Sequence, residues 1–210
     1  MVAGREVEIE VKVRLDSFTD YLKLIGFLGP IDLEEHHTSA FFDSADRKLG
    51  AQGYALRVRA EDRRGLVTVK SLLSQREALA VRREIEAEID TGQARQIIRG
   101  QSSLADLTVE PIKFIRRHFP KVALHKVVQF ENQRQKKRFL LGDYEYTLEI
   151  DRTEFADGSV DYELEVELQD ESQFEVVEDR LRKIFTSLNI PFEKETRSKY
   201  ARALERSILL

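Results

Sequence analysis

The stretch EVEIEVKVRL, residues 6–15, alternates with a period of two. Val7, Ile9, Val11 and Val13 fall on one side, and Glu6, Glu8, Glu10, Lys12 and Arg14 on the other. Successive side chains of a β-strand point to opposite faces, so the pattern predicts a strand with one apolar and one fully ionised face. Carboxylates two residues apart stand roughly 6.6 Å from each other along a strand, close enough to repel wherever water is scarce. A fold that accepts this strand must leave its charged face in water or bring cations to it.

The same division recurs along the chain. Arg57 and Arg59 oppose Leu56 and Val58, while Thr68 and Lys70 oppose Val67 and Val69. Arg82, Glu84, Glu86 and Glu88 oppose Ile85 and Ile89, and Arg134, Lys136 and Arg138 share one parity. Glu149 and Asp151 oppose Leu148 and Ile150; Glu163, Glu165 and Glu167 oppose Leu164, Val166 and Leu168. The ionised faces also separate by sign, acidic at 6–10, 84–88 and 149–167, basic at 57–70 and 134–138. Two architectures satisfy this pattern, and the pattern does not choose between them. In one, an open sheet wets its charged face, where cross-strand ion pairs contribute roughly 0 to 1 kcal/mol each. In the other, the sheet closes into a barrel with the charges inside and helices covering an apolar exterior. Such a lumen suits a polyanion bound through a divalent cation. Carboxylates take Mg2+ or Mn2+, and guanidinium forks take phosphate oxygens.

Between the strands, residues 17–29, 93–100, 111–119, 173–189 and 196–210 read as helices, with Pro111 in a first turn and Gly26 and Gly29 near an end. The Gly142 and Gly158 turns join antiparallel strands. No linker or low-complexity tract interrupts the order, so residues 1–210 are expected to form one α+β domain. Lys and Arg number 34 against 38 Asp and Glu, a net charge of -4. That balance gives no global field for nucleic acid or an anionic membrane, and neither is expected as a partner. The absence of cysteine excludes thiolate chemistry. With no apolar leader and no membrane-length run, a cytoplasmic protein is expected. GLVTVKS is not a phosphate loop, because Val69 stands where a second glycine is required. His36 and His37 point apart in an extended segment and, like His118 and His125, read as surface or packing residues.

Glu8-Ile9-Glu10-Val11-Lys12 resembles the ExExK signature of the CYTH superfamily, the triphosphate tunnel metalloenzymes. In family order follow FFDSADRKLGAQGYALRVR with its arginine pair, Lys70, Arg134, the acids Glu149 and Asp151, the ExE pair Glu163 and Glu165, and Lys199 in RSKYARAL. The resemblance implies a closed antiparallel β-barrel of about eight strands, a tunnel with a charged lumen and helices packed outside. It implies Mg2+ or Mn2+ held by Glu8, Glu10, Glu149, Glu163 and Glu165. It implies a triphosphate clamp of Lys12, Arg57, Arg59, Lys70, Arg134 and Lys199. Glu10, Lys12 and Asp151 become the catalytic candidates, Glu10 as the metal ligand whose loss is most damaging and Asp151 as an aid to the attacking water. Glu6, Arg14, Glu84, Glu86, Lys136, Arg138 and Glu167 share parity with these groups but match the motif less closely; Glu6 and Glu167, at strand ends, read as solvated spacers. The arginine-pair segment is more similar to the bacterial inorganic triphosphatase and thiamine-triphosphatase branch than to the class IV adenylyl cyclases. A hydrolase of tripolyphosphate is therefore the first expectation, with thiamine triphosphate or ATP as other substrates and cyclase activity as the alternative. A module that binds polyphosphate or nucleotide without turnover is the non-enzyme alternative. The family's frequent dimerisation adds a homodimer as an expectation.

Overall fold

The structure, a computed structural model, describes residues 5–76 and 79–207, without the side chains of Arg5, Glu6 and Arg76. The reading of Glu6 as a spacer lies outside the described side chains. The strands are β1 (Arg5–Leu15), β2 (Leu33–Asp43), β3 (Tyr54–Glu61), β4 (Gly65–Arg76), β5 (Leu79–Ile89), β6 (His125–Leu141), β7 (Tyr144–Phe155), β8 (Val160–Glu167) and the two-residue β9 (Glu193–Lys194). The helices are α1 (Phe18–Leu28), α2 (Lys48–Ala51), α3 (Thr91–Ile98), α4 (Glu110–His118), α5 (Phe174–Ser187) and α6 (Lys199–Ser207).

The strands are hydrogen-bonded in the order β5-β4-β3-β2-β6-β7-β8-β1, and pairing of β1 with β5 closes the ring. Every pairing is antiparallel. The closed barrel, not the open sheet, is therefore the architecture of this chain. β1 makes closure possible by dividing its length: Arg5–Val11 pair with β5, and Glu10–Leu15 with β8. Where β5 ends, β9 takes over beside Val13 and Arg14.

Outside the barrel, the apolar parity of each strand is covered by helices. Val11, Val13, Leu148, Ile150, Leu164 and Val166 pack with Leu24 of α1 and Val177, Leu181 and Phe185 of α5. Leu56, Val58, Val67, Val69 and Ile85 pack with Ala94, Ile97 and Ile98 of α3 and Ile112 and Ile115 of α4. The helix starts follow their capping residues: Ser17 Oγ accepts from the Asp20 amide at 3.1 Å, and Asp90 Oδ1 from the Gln93 amide at 3.0 Å. α6 is different, because it lies across one barrel mouth, where Ala203 packs on Phe41, Phe130 and Phe155. β2 begins at Leu33, and α2 lies in the loop that follows it. The LEEHH segment lacks a clean alternation, so its pairing with β6 was not readable.

Gly65 marks a close approach of β4 to α3. A Cβ there would stand 2.6 Å from Ala94 Cβ and 2.9 Å from Ile89 Cγ1. Gly65→Ala is expected to lower stability by about 1–3 kcal/mol, measured by urea unfolding. A change below about 0.5 kcal/mol would contradict this packing.

Candidate active site

The inward-facing side chains surround a cavity of about 610 Å³, within the usual range for a small-molecule site. Its walls follow the strand order. β7, β8, β1 and β5 are consecutive neighbours and supply Glu149, Glu165, Glu8, Glu10, Glu84 and Glu86. β6, β2, β3 and β4 complete the ring and supply Arg134, Lys136, Arg57, Arg59 and Lys70. Separation by sign along the sequence thus becomes separation by wall, with exceptions: Lys12 and Arg82 stand on the acidic arc, and Glu35 and Glu61 on the basic one. Lys199, the first residue of α6, enters from the mouth.

At the seams the walls interlock. Arg134 donates to both Asp151 oxygens, at 2.7 and 2.6 Å, and also contacts Glu149 and Glu165. Lys136 reaches Glu149 at 3.2 Å, and Lys70 joins Glu8, at 3.1 Å, to Glu84. Lys12 bridges Glu10 and Glu165 at 3.1 and 3.2 Å. Arg57 stands 3.6 Å from Glu86, whose carboxylate also accepts from Thr68.

Behind the lining lies a deeper layer. Asp151 has no exposed surface and Glu163 is 1% exposed. Neither lines the cavity. Lys199 Nζ sits between them, 2.7 Å from Asp151 and in contact with Glu163, while also reaching Glu165 at 3.1 Å. Asn132 donates to Asp151 at 2.9 Å and accepts from Thr153. Arg202, on the same face of α6 as Lys199, clasps Glu163, Asp161 at 3.0 Å and Glu195 at 3.5 Å.

The fields in this site are strong. Burial would raise Glu8, yet the charge of Lys70 and hydrogen bonds with Glu84 and Lys70 hold it well below the carboxylate range. Glu84 is raised by burial, against the pull of Lys70, and by the adjacent Glu8. Burial also opposes ionisation of Glu165, but Lys199, Lys12 and Arg134 keep it well below its ordinary value. Arg59 is the opposite case: burial, followed by the charges of Arg57 and Arg134, lowers it to about 10. Its Nε donates to Ser39 Oγ at 3.4 Å, and Glu61 stands 3.7 Å away. Arg57 Nε is likewise buried without a hydrogen-bond acceptor. The basic arc is therefore short of negative charge at its centre.

Asp151 carries a pH prediction. Its burial favours the neutral acid, but Arg134 and Lys199 bring it down to about 2 from 3.8. A folded-state pKa below the unfolded one contributes stability above the unfolded value, and that contribution is lost as pH falls through the folded value. Stability is therefore expected to drop by about 2 kcal/mol between pH 4 and pH 2 from this group, with Glu165 adding in the same direction. Urea midpoints across that window test it, and a flat profile would contradict it.

Not every residue of matching parity reaches the cavity. Glu84, Glu86, Lys136 and Glu167 line it; Arg14 and Arg138 do not. Arg14 turns to Asp16 at 2.7 Å, and the Arg138 side chain is largely exposed beside Glu145. Glu167 is exposed, as a spacer would be, but stands at the cavity rim in register with Glu10. Arg82 was recognisable as inward-facing from its parity with Glu84, yet nothing in the sequence gave it a role. Arg202 had no sequence signal beyond its three-residue spacing from Lys199. Of the adjacent histidines, His36 is exposed beside Glu34 while His37 is buried.

The profile of the CYTH domain matches residues 6–200. The chain belongs to the CYTH domain family. Among solved structures, the CYTH chain is similar to Hippeastrum HpAC1, first taken for an adenylyl cyclase and described as having a dominant triphosphatase activity. The two share 26% identity over 95% of each chain, with a TM-score of 0.82. A Bacillus halodurans protein described as an adenylate cyclase candidate is 21% identical over 95% of this chain and 98% of its own, with a TM-score of 0.70. PH1819 of Pyrococcus horikoshii has a TM-score of 0.62 at 18% identity over 94% and 99%. No curated protein matches the chain by sequence. The last two likenesses concern the fold.

CYTH enzymes are metal-dependent, and the donor set here fits a hard divalent cation, being carboxylate oxygen throughout. Oxygens of Asp151, Glu163 and Glu165 lie within 4.8 Å of one another, although Lys199 stands among them. Glu8 and Glu10 are nearer the open cavity, and Glu10 Oε1 is buried with no hydrogen bond of good geometry, its charge met by ion pairs alone. Among the described residues no helix is long and apolar enough to cross a membrane.

Proposed function

We propose that this CYTH protein hydrolyses a terminal phosphoanhydride of a triphosphate, with inorganic tripolyphosphate as first substrate and Mg2+ or Mn2+ as cofactor. The observation that carries the reading is the under-neutralised centre of the basic arc, where Arg59 is lowered to about 10 and Arg57 Nε lacks an acceptor, facing a wall of carboxylates. Cations crowded together favour a polyanion; carboxylates opposite would repel one unless a divalent cation lay between. The dominant triphosphatase activity of HpAC1 supports the same reading.

In this reading Glu8, Glu10 and Glu165 hold the metal from the cavity side, with Glu149 beside them. A divalent cation bound there supplies charge neutralisation and polarises phosphoryl oxygens. Arg57, Arg59, Lys70 and Arg134 clamp the chain of phosphates, and Lys12 and Lys199 reach it from the acidic arc and the mouth. Water attacks the terminal phosphorus, the bond to the bridging oxygen breaks, and pyrophosphate and orthophosphate leave with release of a proton. The clamp stabilises the charge that builds on the departing pyrophosphate. Asp151 and Glu163, behind the lining, act by fixing Arg134 and Lys199 in place. Asp151 would then reach the attacking water only through those cations.

An assay panel of tripolyphosphate, thiamine triphosphate and ATP with Mg2+ or Mn2+, its products resolved, tests the proposal. Release of orthophosphate and pyrophosphate, fastest from tripolyphosphate, is expected. Cyclic AMP as the main product from ATP would establish the cyclase instead, and inertness towards all three would favour a binding module.

A further inference from the structure

The carboxylates proposed for the divalent cation are themselves held by a residue that neither the family motif nor the proposed clamp includes. Arg82 faces Glu8 directly across the β1–β5 ladder. Its guanidinium contacts Glu10 and stands 3.8 Å from Glu8, and its side chain is only 11% exposed. Arg82 also lines the cavity that the phosphates would enter, on the acidic arc rather than the basic one. Lys70 repeats the arrangement from β4, 3.1 Å from Glu8. A guanidinium and a divalent cation cannot share the same two carboxylates without repulsion, which is strengthened by the partial burial of all three side chains. A planar fork that fits carboxylate fits phosphate as well.

We propose that Arg82 is a gatekeeping cation, which guards Glu8 and Glu10 against free metal and transfers to a phosphate oxygen when triphosphate arrives, leaving both carboxylates to the divalent cation. The inference rests on the triphosphate reading above and adds to it a prediction about order: metal and triphosphate bind together, each raising affinity for the other, as reciprocal linkage requires. Lys12 is not an equivalent gate, since it is tied equally to Glu165 and does not contact Glu8 in this way.

Isothermal titration of Mn2+ into the protein without phosphate separates the possibilities. Arg82→Gln is expected to bind Mn2+ about tenfold more tightly than wild type, at the low end of coupling between sites, while Arg82→Lys stays near wild type. Should Arg82→Gln fail to fold, Arg82→Met, which also removes the charge while keeping the length of the side chain, is expected to tighten Mn2+ binding. Unchanged or weaker binding in the variant that folds overturns the role given to Arg82. A parallel thermal melt of wild type with Mn2+, tripolyphosphate or both tests the underlying reading. Stabilisation by the pair beyond the sum of the two is expected. Its absence overturns the triphosphate reading and the gate with it, whereas stabilisation by the pair combined with unchanged Mn2+ binding in the variant removes the gate alone.

Discussion

Glu10→Gln is expected to cut phosphate release from tripolyphosphate by at least about a hundredfold, the loss typical of removing one group that stabilises developing charge. The side chain is 8% exposed, stands within the acidic arc, and already gathers two cations, Lys12 and Arg82. Glutamine keeps the volume but removes the charge, so a divalent cation loses a hard anionic donor and two basic groups lose a counter-ion. The fold should survive, because the neighbouring Val11 and Val13 anchor β1 in the outer core, each with no exposed surface. Glu145→Gln, at the β6–β7 hairpin with an exposed side chain, serves as a control that keeps activity. Activity of Glu10→Gln within about twofold of wild type, with an unchanged circular dichroism spectrum, would contradict the roles given to the acidic wall.

The second large effect concerns stability. Arg202→Met should destabilise the protein by about 3–5 kcal/mol, since it removes one partner of a buried ion network and leaves the other buried. The Arg202 side chain is 2% exposed, and its guanidinium lies among Glu163, Asp161 and Glu195. Without it the cation in contact with Glu163 among the described residues is Lys199, which is shared with Asp151 and Glu165. The same change loosens the attachment of α6, which carries Lys199 into the cavity. Urea unfolding measures the loss, and a decrease below about 1 kcal/mol would show that α6 is held mainly by the apolar contact of Ala203 with Phe41 and Phe155.

The two faces of each strand were legible in the sequence because a period of two follows directly from strand geometry. Val11 and Leu164 pack outward while Glu10 and Glu165 point inward, as alternation requires. Closure was not legible from the residues, since nothing in residues 5–11 or 79–85 states that they pair. The family resemblance supplied it. Depth along the barrel axis was also hidden. Arg134, Lys136 and Arg138 share a parity, but the first interlocks with three carboxylates of β7 and β8 and the last reaches solvent. Asp151 and Glu163 likewise belong to the inward parity and end up beneath the lining, where α6 covers them with Lys199 and Arg202. Periodicity describes one strand at a time, whereas that layer depends on where a distant helix crosses the mouth. Arg202 was missed for the same reason, as a charged residue on a short helix reads as solvated until its burial is known.

Diffraction from crystals grown with Mn2+ and a non-hydrolysable triphosphate, recorded for the anomalous signal of manganese, tests the central claim most directly. The account predicts a manganese peak inside the barrel, about 2.0–2.3 Å from oxygens of Glu8, Glu10 or Glu165, with the phosphates against Arg57, Arg59 and Arg134. Manganese confined to outer carboxylates, with the phosphates outside the lumen, would contradict it.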